Sequence, residues 1–151
     1  MSLNEEVELL KNIPLFAKIE PSKLKLLAFT SERLSYTDGQ VLFSQGDTGD
    51  AAYIIIDGSA SVLIGTGNGT VEVAQLSKGD VVGEIAILCD VPRTATVQAK
   101  ESLTTLKINK EAFFRLVTDF PQIAVEIMRE LAGRLEQTNI QLRAALSDNG
   151  N

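Results

Sequence analysis

The sequence contains no histidine, and its single cysteine is Cys89. The absence of histidine excludes Ser-His-Asp catalysis, phosphohistidine relays, histidine-ligated haem and the usual mononuclear metal centres. One cysteine also excludes an internal disulfide and any four-cysteine iron–sulfur or zinc site. We therefore expect neither an enzyme nor a metal site, and we expect Cys89 to be a small buried or half-buried residue without a redox role.

Basic residues and long apolar runs are also scarce. The chain has 14 basic and 20 acidic residues, and its net charge of −6 opposes non-specific binding to nucleic acid or to anionic lipid. Its apolar runs are far shorter than the roughly 20 residues that span a bilayer, and no secretory signal precedes them. We expect a cytoplasmic protein with no membrane attachment and no direct nucleic-acid contact.

We interpret the 151 residues as one domain over 1–151. Changes in the spacing of its hydrophobic residues divide this domain into three segments. Helical spacing over about 4–30 predicts two short helices, joined at Ile13-Pro14-Leu15-Phe16, with Pro21 as the first residue of the second. An alternating period over 31–109 predicts strands, and helical spacing returns over 110–147 with a break near Phe120-Pro121.

Short strands separated by turn residues predict a mainly β fold with flanking helices, which is a sandwich, a roll or a jelly roll. Asp57-Gly58 is one of these turn signals. The near-continuous apolar run Tyr53-Ile54-Ile55-Ile56 predicts a strand that is covered on both faces.

A stripe of residues near the C-terminus alternates spacings of three and four, as in a coiled coil. Two arrangements are open: the stripe packs on its own β domain, or it also meets a second copy in a homodimer. Its members are Met128, Leu131, Leu135, Thr138, Leu142 and Ala145.

A segment in the middle of the chain combines residues that suit an anionic ligand. The sequence after Gly83 favours a short helix whose first turn leaves the N–H groups of Ile85 and Ala86 unpaired, and such groups attract anions. Arg93 follows, and its planar guanidinium can pair two phosphate oxygens at once. One arginine balances one negative charge, which suits a cyclic phosphodiester better than a nucleoside triphosphate.

Glu84 and Thr94 extend this candidate site beyond the phosphate. A carboxylate at the pocket edge can accept a hydrogen bond from a ribose 2′-hydroxyl, as acidic residues do in dinucleotide folds. The hydroxyl of Thr94 can reach a phosphate oxygen or a base edge. The alternative for Glu84 and Arg93 is a surface ion pair that closes a loop and contributes little.

The motif Gly-Glu-x-Ala-x-Leu…Pro-Arg-x-Ala-Thr-Val, within residues 82–97, resembles the phosphate-binding cassette of the cyclic nucleotide-binding domain family. The segment from Gly46-Asp47 to Gly58 resembles the second glycine motif of that family, and Ile13-Pro14-Leu15-Phe16 resembles its helical entry. The resemblance implies an eight-stranded jelly-roll-like β-roll, or double-stranded β-helix. An N-terminal helical pair and a long C-terminal helix flank the roll, and the nucleotide lies between roll and C-terminal helix.

The resemblance also implies a ligand, which we expect to be cAMP, with cGMP as the alternative because Thr94 does not decide the base. Thr138 and Asn139 fall where bacterial activators of the family contact the adenine amino group. Their alternative role is a polar break that fixes dimer register. No other cofactor is implied.

The expected function is a non-catalytic sensor that transmits cyclic nucleotide binding through its C-terminal helix. One alternative is a ligand-binding and dimerisation fragment of a larger transcription factor, channel or kinase. Another is a domain that keeps the fold and binds nothing, which the intact pair of Glu84 and Arg93 argues against. A jelly-roll enzyme of the cupin type is excluded because such enzymes hold their metal with histidines.

Overall fold

The N-terminal part consists of two helices in the computed structural model, which describes residues 2–13 and 16–149. Helix α1 (Leu3–Lys11) begins after Ser2, whose hydroxyl accepts a hydrogen bond from the N–H of Glu5. Helix α2 (Pro21–Thr30) begins at its proline, as predicted. Of the predicted connection, Pro14 and Leu15 lie outside the described residues, and Ile13 and Phe16 are buried.

The middle of the chain forms one antiparallel sheet. In the described residues, the order along the sheet is β1-β6-β3-β4, with β2 paired to β6 and β5 paired to β3. The strands are β1 (Glu32–Tyr36), β2 (Val41–Phe43), β3 (Ala51–Thr66), β4 (Gly69–Leu76), β5 (Val81–Val82) and β6 (Thr96–Asn109).

The prediction of a mainly β fold with flanking helices is confirmed, but the prediction of eight strands is wrong. The described residues form six strands, and β3 runs through a point where the sequence predicts a turn. Asp57-Gly58 lies inside β3, where the register against β6 shifts on both sides of it. These residues form an irregularity in a continuous strand instead of reversing it. The jelly-roll detail is not confirmed.

The core has two parts, one on each side of β3. Tyr53 and Ile55 belong to a cluster formed by residues of the strands, whereas Ile54 and Ile56 belong to a cluster that includes residues of the helices. All four residues are buried, which confirms the prediction of a strand covered on both faces.

Three helices complete the structure: α3 (Glu84–Cys89), α4 (Lys110–Asp119) and α5 (Pro121–Asn149). Helices α4 and α5 are separated at the predicted break. Ile123 and Ile127 bury the first turns of α5 against the core, and Leu131 still packs on it. No helix in the described part of the chain is both apolar and long enough to cross a bilayer.

Beyond these first turns, most side chains of α5 are exposed. Within the predicted stripe, Met128 is 59% exposed, Leu135 62% and Leu142 55%. The stripe therefore does not pack on its own β domain, except at Leu131. An apolar row of this kind on a solvated helix is typical of a surface that meets another protein.

Candidate functional site

The predicted cassette consists of β5, α3, a loop and the start of β6. Gly83 caps α3 with a left-handed backbone, φ +88°. The loop after α3 is tied to the glycine motif that precedes β3. The N–H of Gly46 donates to the carbonyl of Arg93 at 2.8 Å, and the N–H of Arg93 donates to the carbonyl of Asp47 at 2.7 Å. These bonds fix the backbone from which the Arg93 side chain starts.

The Arg93 side chain is buried and points into the site, with only 4% of the residue exposed. Its Nη1 donates to the carbonyl of Gly83 at 2.9 Å, and its Nη2 donates to the carbonyl of Ala51 at 2.7 Å. Its Nε is buried without a hydrogen-bond partner among the described residues. Burial lowers the pKa of Arg93 from its ordinary value, yet a guanidinium stays charged at neutral pH.

Two glycines leave the space that the guanidinium occupies. A Cβ on Gly83 would lie 2.5 Å from Nη1 of Arg93, and it would also need a left-handed backbone. A Cβ on Gly49 would overlap that of Ala86 and lie 3.0 Å from Nε of Arg93. The Arg93 side chain can therefore occupy its buried position only because both residues are glycines.

Glu84 is also buried, with 3% of the residue exposed. Its Oε1 lies 3.4 Å from Nη1 of Arg134, which reaches the site from α5, and Nη2 of Arg134 lies 2.7 Å from Oε1 of Glu130. Burial raises the pKa of the Glu84 carboxyl, and the backbone N–H of Glu84 and the charge of Arg134 partly oppose that rise. The alternative of a surface ion pair between Glu84 and Arg93 is thus wrong, because both are buried and the ion-pair partner of Glu84 is Arg134.

The cassette residues line a common cavity of about 310 Å³. It is large enough for a small ligand and lies between the cassette, β4 and helix α5. The predicted site residues that line it are Gly83, Glu84, Ile85, Ala86, Arg93 and Thr94.

Two predicted residues do not line this cavity. Thr138 is exposed, and its hydroxyl donates to the carbonyl of Arg134 in its own helix at 2.9 Å. Asn139 is half-buried but lies outside the cavity as well. Helix α5 instead contributes Glu130 and Arg134. Within one chain, α5 therefore reaches the cavity one helical turn before Thr138, and a contact of Thr138 or Asn139 with the ligand stays a prediction.

Arg134 lines the site but was not among the predicted residues. Its signal was available, since Arg134 follows Glu130 by four residues and precedes Thr138 by four, so all three share one helix face. The prediction that Cys89 is buried or half-buried was wrong, because Cys89 is exposed. Helix α3 buries Ala86 and Ile87, which turns its last residues, Leu88 and Cys89, towards solvent.

Comparison with known proteins agrees with this geometry. Residues 33–120 match the family described as the cyclic nucleotide-binding domain. The cAMP-dependent protein kinase regulatory subunit of Blastocladiella emersonii is 40% identical over 109 residues, which are 72% of this chain and 27% of that protein. The chain thus spans about a quarter of that relative's length.

Two solved structures extend the comparison. The catabolite activator protein of Thermus thermophilus aligns with a TM-score of 0.75 and 28% identity, over 85% of this chain and 61% of that one. The regulatory subunit of a cAMP-independent protein kinase A from Trypanosoma brucei aligns with a TM-score of 0.76 and 25% identity, over 93% and 51%. With the family match over more than half of its length, this chain belongs to the cyclic nucleotide-binding domain family.

Proposed function

We propose that this domain is a non-catalytic sensor of cAMP, and that Arg93 binds the cyclic phosphate. The observation that supports this most strongly is the state of the Arg93 side chain. Its charge is buried in the cavity wall, its two hydrogen bonds go to neutral carbonyls, and its buried Nε has no partner among the described residues. A buried cation without a direct ion pair among the described residues is costly, and a singly charged phosphodiester offsets that cost.

Gly83, Ile85 and Ala86 support the same end of the ligand. They line the cavity beside Arg93 at the start of α3. We propose that the backbone N–H groups of Ile85 and Ala86 face the phosphate and that Gly83 permits close approach. Thr94, which is exposed and also lines the cavity, adds a hydroxyl near the phosphate or the base edge.

Glu84 and Arg134 are proposed to connect the ligand to α5. In this arrangement Glu84 accepts a hydrogen bond from the ribose 2′-hydroxyl while Arg134 holds the carboxylate from the other side. The Glu84–Arg134 contact joins residues 50 positions apart in the chain. A ligand that changes the position of Glu84 would thereby also change the position of α5, because Arg134 lies on this helix.

Helix α5 is the proposed output. We propose that its exposed stripe joins two copies in a homodimer, where Thr138 and Asn139 act across the two-fold axis near the partner's ligand. The kinase regulatory subunit of Blastocladiella emersonii is about four times as long as the segment it shares with this chain. A second arrangement is therefore open, in which the domain is one module of a longer regulator and α5 contacts another module.

Two other ligands compete with cAMP. cGMP remains the alternative because Thr94 carries a hydroxyl at the cassette. A nucleoside without phosphate is the second ligand for comparison, because it lacks the group that Arg93 is proposed to bind. The buried arginine favours a phosphate-bearing ligand over a nucleoside.

Calorimetric titration of the wild-type domain with cAMP, cGMP and adenosine separates these ligands. We expect cAMP to bind most tightly and adenosine to bind weakly. Arg93→Ala should weaken cAMP by roughly 30-fold or more, since truncating one partner of a desolvated charge pair costs about 2–5 kcal/mol. The same variant should leave the weak binding of adenosine unchanged. Wild-type affinity for cAMP in Arg93→Ala would refute the assignment of Arg93.

A further inference from the structure

Phe43 lies directly against the buried guanidinium. The Cζ atom of Arg93 is 4.0 Å from the centroid of the Phe43 ring, within the range of a strong cation–π contact. The ring of Tyr53 stands behind, with its centroid 6.0 Å from Cζ and 5.7 Å from that of Phe43. Arg93 therefore has an aromatic wall on one side and the cavity on the other.

A bulge in β2 puts Phe43 in this position. Val41 pairs with Gln98 and Phe43 pairs with Val97, so that one extra residue, Leu42, stands on β2 between the two pairs. Such a bulge changes the face to which the following side chain points. As a result Phe43, like Val97, lines the cavity.

An aromatic ring stabilises a buried cation in a different way from a carboxylate. The negative face of the ring attracts the guanidinium but neither neutralises its charge nor accepts its N–H groups in the plane. A guanidinium has five N–H donors, and the bonds to Gly83 and Ala51 use two of them. The ring therefore leaves the guanidinium charged at the wall of the cavity, and its buried Nε–H has no acceptor among the described residues.

Fixing the side chain is the second effect of the ring. Arginine has several rotatable bonds, and ordering them when a ligand binds reduces the affinity. A guanidinium that is already held between one ring and two carbonyls loses little further freedom when phosphate arrives. The same ring keeps water from that side of the charge, which strengthens its attraction for the phosphate.

We propose that Phe43 is a positioning residue for ligand binding: its ring holds the guanidinium of Arg93 in place by a cation–π contact and leaves it charged and open to the phosphate. The proposal rests on the proposed function, since it assigns Phe43 to the same phosphate site.

The simplest alternative is that Phe43 only fills space in the roll, and size-matched variants separate the two roles. Phenylalanine analogues with one, two and three ring fluorines at position 43 keep the size of the ring but weaken its negative face step by step. We expect the Kd for cAMP to rise with each fluorine. Phe43→Leu, which removes the ring, should raise it by about 2- to 30-fold, and Phe43→Tyr should restore most of the affinity.

The matched control is the same fluorinated series at Phe29, which is 77% exposed on α2 and does not line the cavity. Its Kd for cAMP should equal that of the wild type. A second measurement needs no ligand. The NMR resonance of the Arg93 Nε–H should lie upfield from the ring current of Phe43 and should move downfield in Phe43→Leu.

The outcomes distinguish this proposal from the one on which it rests. A wild-type domain that binds no cyclic nucleotide would overturn the proposed function. A wild-type domain that binds cAMP, together with a flat fluorine series at position 43, would overturn only the role of Phe43. An Arg93 resonance that does not change in Phe43→Leu would overturn it as well.

Discussion

Replacing Gly83 with alanine should separate the stability of the domain from its affinity for the nucleotide. A left-handed backbone costs a residue with a Cβ about 1–2 kcal/mol, and Gly83 has φ +88°. The new Cβ would also lie 2.5 Å from Nη1 of Arg93, whereas the nearest backbone atom, the carbonyl oxygen of Ala51, is 3.2 Å away. The guanidinium is the end of a flexible side chain, so we expect it to move while the backbone stays.

The affinity then falls because Arg93 no longer sits beside the cavity. A displaced guanidinium also moves away from the phosphate that it is proposed to bind, and hydrogen bonds to charged groups contribute about 1.5–3 kcal/mol. Since each 1.4 kcal/mol is a factor of ten, cAMP should bind about 10- to 150-fold more weakly. Calorimetric titration measures this loss, and unfolding in urea measures the stability.

Gly69→Ala is the matched control. Gly69 also has a positive φ, of +113°, but a Cβ there would have no neighbour within 4 Å. Both variants should lose free energy of unfolding because of the strained backbone, and only Gly83→Ala should lose affinity for cAMP. Two results would show that Gly83 does not act on affinity through Arg93: wild-type affinity in Gly83→Ala, or an equal loss of affinity in Gly69→Ala.

Three further predictions concern Glu84 and α5. Glu84→Ala should weaken cAMP binding but have a much smaller effect on 2′-deoxy-cAMP, and equal losses in titrations of both ligands would exclude a contact with the sugar. Because burial raises the pKa of Glu84 above 4.5, the stability it contributes is present below the unfolded pKa and is lost as pH rises through the folded pKa. Glu84→Gln should therefore gain stability over the wild type as pH rises in urea unfolding experiments, and a difference independent of pH would contradict this. Leu135→Ala with Leu142→Ala should give a monomer that keeps its β-sheet, and a wild type that sediments as a monomer with and without cAMP would exclude the dimer.

Secondary-structure elements that depend on neighbouring residues could be predicted from the sequence. Strand alternation, the proline at the start of α2 and the break before Pro121 each depend on residues within a few positions of one another. The cassette residues from Gly83 to Ala86 were found in the same way, because a turn, a short helix and an arginine at fixed spacing form a local motif. Their common position around one cavity follows from that motif.

Features that depend on pairing between distant segments could be seen only in the tertiary structure. Asp57-Gly58 is a turn signal on its own, but pairing with β6 on both sides carries β3 straight through it. Local spacing contains no information about this partner, which lies more than 40 residues away in the sequence. The strand count was wrong for that reason.

The contacts of the site show the same division. Arg134 and Thr138 share a helix face, and only the depth at which α5 packs decides which of them reaches Glu84, a difference of about 6 Å along the helix axis. Phe43 reaches Arg93 because of a bulge against β6, and its contact joins residues 50 positions apart. The sequence contains the ligand-binding motif, whereas the packing of β2 and α5 around it selects the residues that hold its charges in place.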